Sequence, residues 1–173
     1  PKKARNNHYY WTGGGVMATA MATSDVELLA EARHIFDAAL TDISDDGTLP
    51  QEMKRGIRAL HYHNFSAMPL AMMAEMARKQ HQDWFALRNA RLNLLMVRVA
   101  AGLRDPAWFD KEAGAAPQLM PPKRDLGWIL AYRAHAPQGE RFDGLFSDDD
   151  SSYVRDLGGS VKLILAGGVF DPR

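Results

Sequence analysis

The 173 residues allow one domain with a sizeable core, and 46% apolar with 24% charged residues is the balance of an ordinary globular chain. Formal net charge is zero, so the chain as a whole does not attract polyanions, and an anionic ligand has to be met by a local cluster. Cysteine is absent, which excludes disulfides and thiolate metal sites, and no apolar run reaches transmembrane length.

The chain opens with Pro1-Lys2-Lys3 and shows no signal peptide, as expected of a truncated, processed or incomplete sequence. Asn6 or Asn7 is the expected N-cap of a first helix ending near Thr23. Gly13-Gly14-Gly15 lies inside it, at roughly 1 kcal/mol per glycine against alanine. Such a run marks a kink, or a place where another backbone or a ligand comes close.

Ser24 or Asp25 caps a second helix to about Ile43, whose Leu28, Leu29, Ala32, Ile35, Phe36, Ala39 and Leu40 repeat at the helical period. Asp45-Asp46-Gly47 reads as a turn. Pro50 suits the first position of a third helix expected to run to about Lys79, kinked or broken at Pro69. A fourth helix is expected over Asp83 to Leu103, with Leu92, Leu95, Met96 and Val99 on one face.

From residue 105 the chain becomes a loop-rich closing segment punctuated by proline, with one shorter helix from Asp125 to Ala134. Gln138 to Ser152, including Asp148-Asp149-Asp150, reads as a solvated loop. The run Val161 to Leu165 is expected to be a short strand or an extended arm. The whole reads as a single all-α domain, residues 1–173, of antiparallel helical hairpins.

Chemistry concentrates in Lys54 to Phe65 and in Asn6-Asn7-His8. On a continuous helix Arg55, Arg58 and Tyr62 share one stripe, because steps of three, four and seven residues return to the same face. Two guanidinium groups, a phenol, an amide and an imidazole suit proton abstraction beside a carboxylate. Uronic acid polymers are cut in this way: a base takes the proton on C5, and the C4 oxygen leaves. The carboxylate disfavours further negative charge on its neighbour, so the site must neutralise it in advance, and a base and an acid must stand near the scissile bond. Asn7 and Arg55 suit neutralisation, and Tyr62 and His8 suit proton transfer. A tyrosine beside an arginine and a charged imidazole has its pKa drawn down.

Each residue also has an ordinary reading. Asn7 serves as a helix cap, Arg55 and Arg58 as a solvated face, and Tyr62 and Trp11 as core residues. His61 and His63, two apart on a helix, point nearly opposite ways and chelate metal poorly.

Asn-Asn-His-Tyr-Tyr-Trp at 6–11, Val-Met-Ala-Thr-Ala at 16–20, Leu-Pro-x-Glu-Met-Lys-Arg at 49–55 and Arg-Ala-Leu-x-Tyr-His-Asn at 58–64 resemble the alginate lyase family of polysaccharide lyases. The likeness is strong to about residue 104 and returns in Arg155-Asp156-Leu157-Gly158-Gly159 and Phe170-Asp171-Pro172. It implies part of an (α/α) toroid of helical hairpins with a deep cleft, the C-terminal half of the family's usual sequence. It implies β-elimination on mannuronate-rich alginate or a related polyuronate. Tyr62 is then the acid, and for mannuronate also the base, with Asn7 and Arg55 as the neutralising pair and His8 assisting neutralisation or serving as base on the other epimer. Trp11, Arg58 and His61 match residues that hold neighbouring sugars, and Arg155 matches a C-terminal subsite arginine. Gly13-Gly14-Gly15 departs from the bulkier residues usual in the first helix. The resemblance implies no cofactor, metal, nucleic acid or membrane, a periplasmic or secreted location, and an absent N-terminal half as a partner. The competing expectation is a helical fragment that binds anionic polysaccharide or a partner chain without turnover.

Overall fold

The computed structural model describes residues 5–114, 116–135, 142–147 and 153–166. Its helices are α1 Asn7–Thr23, α2 Val26–Asp42, α3 Pro50–Met53, α4 Ala59–Lys79, α5 Leu87–Arg104, α6 Ala107–Glu112, α7 Trp128–Arg133 and α8 Val161–Ala166. Two strands of two residues each, β1 Tyr153–Val154 and β2 Gly159–Ser160, pair antiparallel in the closing segment. The fold is all-α, built on helical hairpins.

Local chemistry sets the first two helices. The Asn6 side chain accepts the His8 N–H, and Asp25 accepts the N–H groups of Glu27 and Leu28. Ser24 closes α1 with φ at 55°, a left-handed link that lets α2 fold back at once. α1 packs on both α2 and α4. Trp11 meets Phe65 and Gly14 faces Pro69, so α1 and α4 run in the same direction, with both N-terminal ends at one end of the molecule. The glycine run is a close approach, not a kink. A Cβ on Gly13 would lie 2.5 Å from Ile35 Cγ2, and one on Gly14 would lie 3.3 Å from Pro69 Cβ, whereas Gly15 faces open space.

The core gathers Tyr10 and Met17 from α1, Phe36 and Leu40 from α2, Leu70 and Met73 from α4, and Leu95 and Val99 from α5. Burial of each such side chain contributes about 1.5–3 kcal/mol. Trp128 joins this core and donates its indole N–H to Asn64 Oδ1 at 2.8 Å, while Asn64 Nδ2 donates to the Asp125 carbonyl at 3.1 Å. These bonds tie the closing segment to α4.

Several expectations are corrected. The helix expected from Pro50 to Lys79 stops at Met53, and Gly56 at φ 58° turns the chain through a 3-10 turn, Gly56–Arg58, before α4 begins. Pro69 does not break α4, which continues to Lys79. The fourth helix is irregular at its start, because Arg88, Asn89 and Ala90 all have φ between 50° and 56°. Val161 to Leu165 lies in helix α8, and the only described strands are the short pair just before it. The segment expected as a single helix from Asp125 to Ala134 is a 3-10 turn, Lys123–Leu126, followed by α7. Asp148-Asp149-Asp150 and Phe170-Asp171-Pro172 lie outside the described residues.

Candidate active site

Tyr62 sits in the first turn of α4, half-buried, and Arg55 lies on the turn before it. The break at Gly56 removes the continuous helical stripe, yet the two residues still meet: the Arg55 guanidinium carbon is 4.8 Å from the centre of the Tyr62 ring. This is a cation–π contact made by a folded turn instead of by helical periodicity. Arg58 is exposed at the end of the 3-10 turn.

Asn7 opens α1 and is fully buried. Its backbone N–H donates to Glu52 Oε1 at 2.7 Å and its Nδ2 donates to the same oxygen at 3.0 Å. Glu52 Oε2 accepts Arg55 Nε at 3.3 Å. A carboxylate at the first turn of α1 satisfies an N–H with no intrahelical partner and meets the positive end of the helix dipole. His8, the next residue, is exposed.

Trp11 lies one turn along α1. Its indole N–H donates to the Phe65 carbonyl at 3.1 Å, and its ring lies 5.0 Å from that of Phe65. In a regular helix the Phe65 carbonyl would accept the N–H of residue 69, but residue 69 is proline and has none. Pro69 thus frees the carbonyl that holds Trp11, and the indole supplies the bond that α4 lacks. Trp11→Phe is expected to cost about 1 kcal/mol, since that carbonyl would lose its donor while the ring contact survives. Denaturant melts of the two proteins check this.

His61 stacks parallel to Phe65 at 6.4 Å and meets Tyr62 edge-on at 5.2 Å. Trp11, Phe65, His61 and Tyr62 thereby form a chain of rings leading to Arg55. A groove of about 420 Å³ passes Trp11, Gly14 and Gly15 on one side and Asp156, Leu157 and Gly158 on the other. Arg155 is exposed next to this wall and donates to Asp156 at 3.1 Å.

The other two residues of Tyr62-His63-Asn64 hold the backbone. His63 is fully buried: Nδ1 donates to the Ala59 carbonyl at 2.7 Å, and Nε2 accepts the Leu49 N–H at 2.9 Å. Asn64 ties in the closing segment as described above. His61 and His63 therefore face separate surroundings.

A wider cleft of about 680 Å³ lies beside Arg5, Tyr10, Asp42, Asp45 and Arg91. Its cations are engaged by carboxylates, Arg5 by Asp42 and Arg91 by Asp45. Burial and the charge of Asp42 push the Tyr10 phenol above its ordinary range, so it stays neutral there.

Sequence reasoning passed over Glu52 and Phe65. Glu52 reads as a first-turn acid of a helix beginning at Pro50, and nothing in the spacing shows that Asn7 folds back onto it.

The helical hairpins thus place a guanidinium on a phenol, with a buried amide joined to it through Glu52 and a row of rings leading away. The chain belongs to the alginate lyase family, whose profile matches residues 1–109. A polysaccharide lyase of Stenotrophomonas maltophilia strain K279a is 47% identical over 169 residues, which is 98% of this chain and 50% of that protein. An alginate lyase of Pseudomonas syringae pv. syringae is 39% identical over 134 residues, 76% of this chain and 35% of that protein. Among solved structures, a His-to-Ala variant of alginate lyase A1-III complexed with a tetrasaccharide superposes with a TM-score of 0.76 at 27% identity, covering 97% of this chain and 46% of the other. The structure of alginate lyase A1-III from Sphingomonas species A1 gives 0.71 at 26% identity, covering 97% and 47%. The chain spans half or less of the length of each of these proteins.

Proposed function

We propose that this chain carries the eliminating site of a polyuronate lyase, with mannuronate-rich alginate as its substrate. In this reading the C5 proton passes to Tyr62, the C4–O bond breaks as the C4=C5 bond forms, and the leaving oxygen takes up a proton from Tyr62. Arg55 and Asn7 offset the substrate carboxylate, His8 assists, and Trp11, Arg58, His61 and Arg155 hold neighbouring sugars. The observation that carries the reading is the Arg55–Tyr62 contact, which joins the neutralising cation to the proton-transfer group.

The relatives lend support. Two solved variants of alginate lyase A1-III replace a histidine and a tyrosine 54 residues apart, the separation of His8 and Tyr62 here. Both variants are complexed with a tetrasaccharide. Because this chain matches about half of those proteins, the second wall of the cleft belongs in this reading to the part of them that it does not span. The same coverage favours a second reading for the isolated chain, in which it binds polyuronate without turnover. By family likeness the site of action is the periplasm or the exterior.

Incubation with polymannuronate, polyguluronate and polyglucuronate, followed by ultraviolet absorbance of the unsaturated product, tests both readings and reports substrate choice. Tyr62→Phe removes one hydroxyl and keeps the ring, so it is expected to abolish product formation while polymer binding survives. A folded Tyr62→Phe protein that keeps a large share of turnover would sink the assignment.

A further inference from the structure

We infer that Glu52 is a positioning residue of this site, a buried carboxylate that sets both the Asn7 amide and the Arg55 guanidinium. The inference rests on the lyase reading of Asn7, Arg55 and Tyr62.

Glu52 is 0% exposed and sits on α3, between the two groups it contacts. Its Oε1 accepts the Asn7 backbone N–H at 2.7 Å and Asn7 Nδ2 at 3.0 Å, and its Oε2 accepts Arg55 Nε at 3.3 Å. Three donors and no acceptor face the two oxygens, which suits a carboxylate and not a carboxamide.

Each arm has a consequence for the site. Arg55 is held through Nε, and no hydrogen bond among the described residues takes its two Nη groups. Those groups form the fork that pairs with a carboxylate. With Nε fixed, the fork is aimed while the guanidinium rests on the Tyr62 ring at 4.8 Å. The Asn7 amide takes its orientation from the same carboxylate. Its Nδ2 is turned to Glu52, and its Oδ1 is buried with no hydrogen-bond partner among the described residues. Glu52 takes one of the two Nδ2 hydrogens and leaves the second to donate to a carboxylate, so Glu52 decides how the amide faces.

The simpler alternative makes Glu52 a cap for the first turn of α1 and nothing more. Glutamine distinguishes the two. Its oxygen serves the cap as well as a carboxylate oxygen does, but its NH₂ then faces Arg55 Nε, donor against donor.

The experiment measures kcat, KM and melting temperature for Glu52→Gln, Arg55→Ala and the double variant. Glu52→Gln is expected to fold, to lower kcat by up to roughly 100-fold through misplacement of Arg55, and to change KM little. In the Arg55→Ala background it should lower kcat no further, because both substitutions act through one group. Glu52→Asp, which keeps the charge, should recover part of the loss. In this chain itself, the Arg55 Nε–H resonance should be slow to exchange with water and should lose that protection in Glu52→Gln. A folded Glu52→Gln enzyme with unchanged kcat, an equal loss in both backgrounds, or an unaltered Arg55 Nε–H resonance would overturn the proposal. If Arg55→Ala itself leaves kcat intact, the lyase reading fails and the Glu52 proposal falls with it. A collapse on Arg55→Ala beside a silent Glu52→Gln refutes the positioning role alone.

Discussion

Arg55→Ala is expected to lower kcat for polymannuronate cleavage by roughly 100- to 1000-fold, the usual cost of removing one preorganised donor from a developing oxyanion. In the proposed reaction charge builds on the substrate carboxylate as the C5 proton leaves, so a contact from Arg55 would strengthen in the transition state and its loss would appear in kcat. The side chain is suited to this. It is 37% exposed, anchored at one end by Glu52 and laid over the ring of Tyr62. Arg55→Lys should restore little, because a lysine keeps the charge but loses the planar fork. Trp11→Ala should differ in kind. Trp11 is half-buried and stands at the groove; in the proposed reading it would stack on sugar in ground and transition states alike, so its loss should mainly raise KM. A surface role for Arg55 would leave Arg55→Ala nearly silent. A core role for Trp11 would cost about 3–5 kcal/mol of stability on truncation. Steady-state kinetics and melts of the two variants separate these accounts.

The parts of the fold legible in the sequence are those set by neighbours along the chain. The caps at Asn6 and Asp25 and the apolar period of α2 lie within single helices, and both helices form nearly as read. The break before α4 depends on one backbone angle at Gly56, which glycine permits but does not announce. Val161 to Leu165 has no period of its own, and short apolar runs of this kind fit strand and helix equally. Pro69 illustrates the same limit. Proline in a helix interior predicts a break, and the reason α4 survives is a partner 54 positions before Phe65, the indole of Trp11. At the site, Asn7, His8, Arg55 and Tyr62 stand out in the motifs by residue type. Glu52 and Phe65 do not, because their contacts with Asn7 and Trp11 join elements distant in sequence.

Acid is expected to destabilise this chain through His63. Burial holds the His63 imidazole down to about 4 from an ordinary value of 6.5, against a partial upward pull from its hydrogen bond to the Ala59 carbonyl. In the folded protein the ring therefore stays neutral to about pH 4, while in the unfolded chain it takes up a proton near 6.5. Between those values the unfolded state binds more protons, so stability falls as the pH falls. The loss begins below about 6.5 and is complete near 4. It amounts to about 3 kcal/mol, because a tenfold change in proton affinity corresponds to about 1.4 kcal/mol. Asp46 responds lower on the scale: burial alone would raise it, but the Thr48 hydroxyl and N–H hold it below its usual range. The geometry ties this loss to the site. A proton on His63 Nε2 expels the Leu49 N–H, and Leu49 is the residue from which α3, with Glu52 and then Arg55, begins. Denaturant melts at pH 7, 5.5 and 4 should show the loss in the wild type. His63→Gln, which cannot titrate, should be less stable at pH 7 but should lose much less between pH 6.5 and 4. Equal pH slopes in the two proteins would exclude His63 as the acid-labile group.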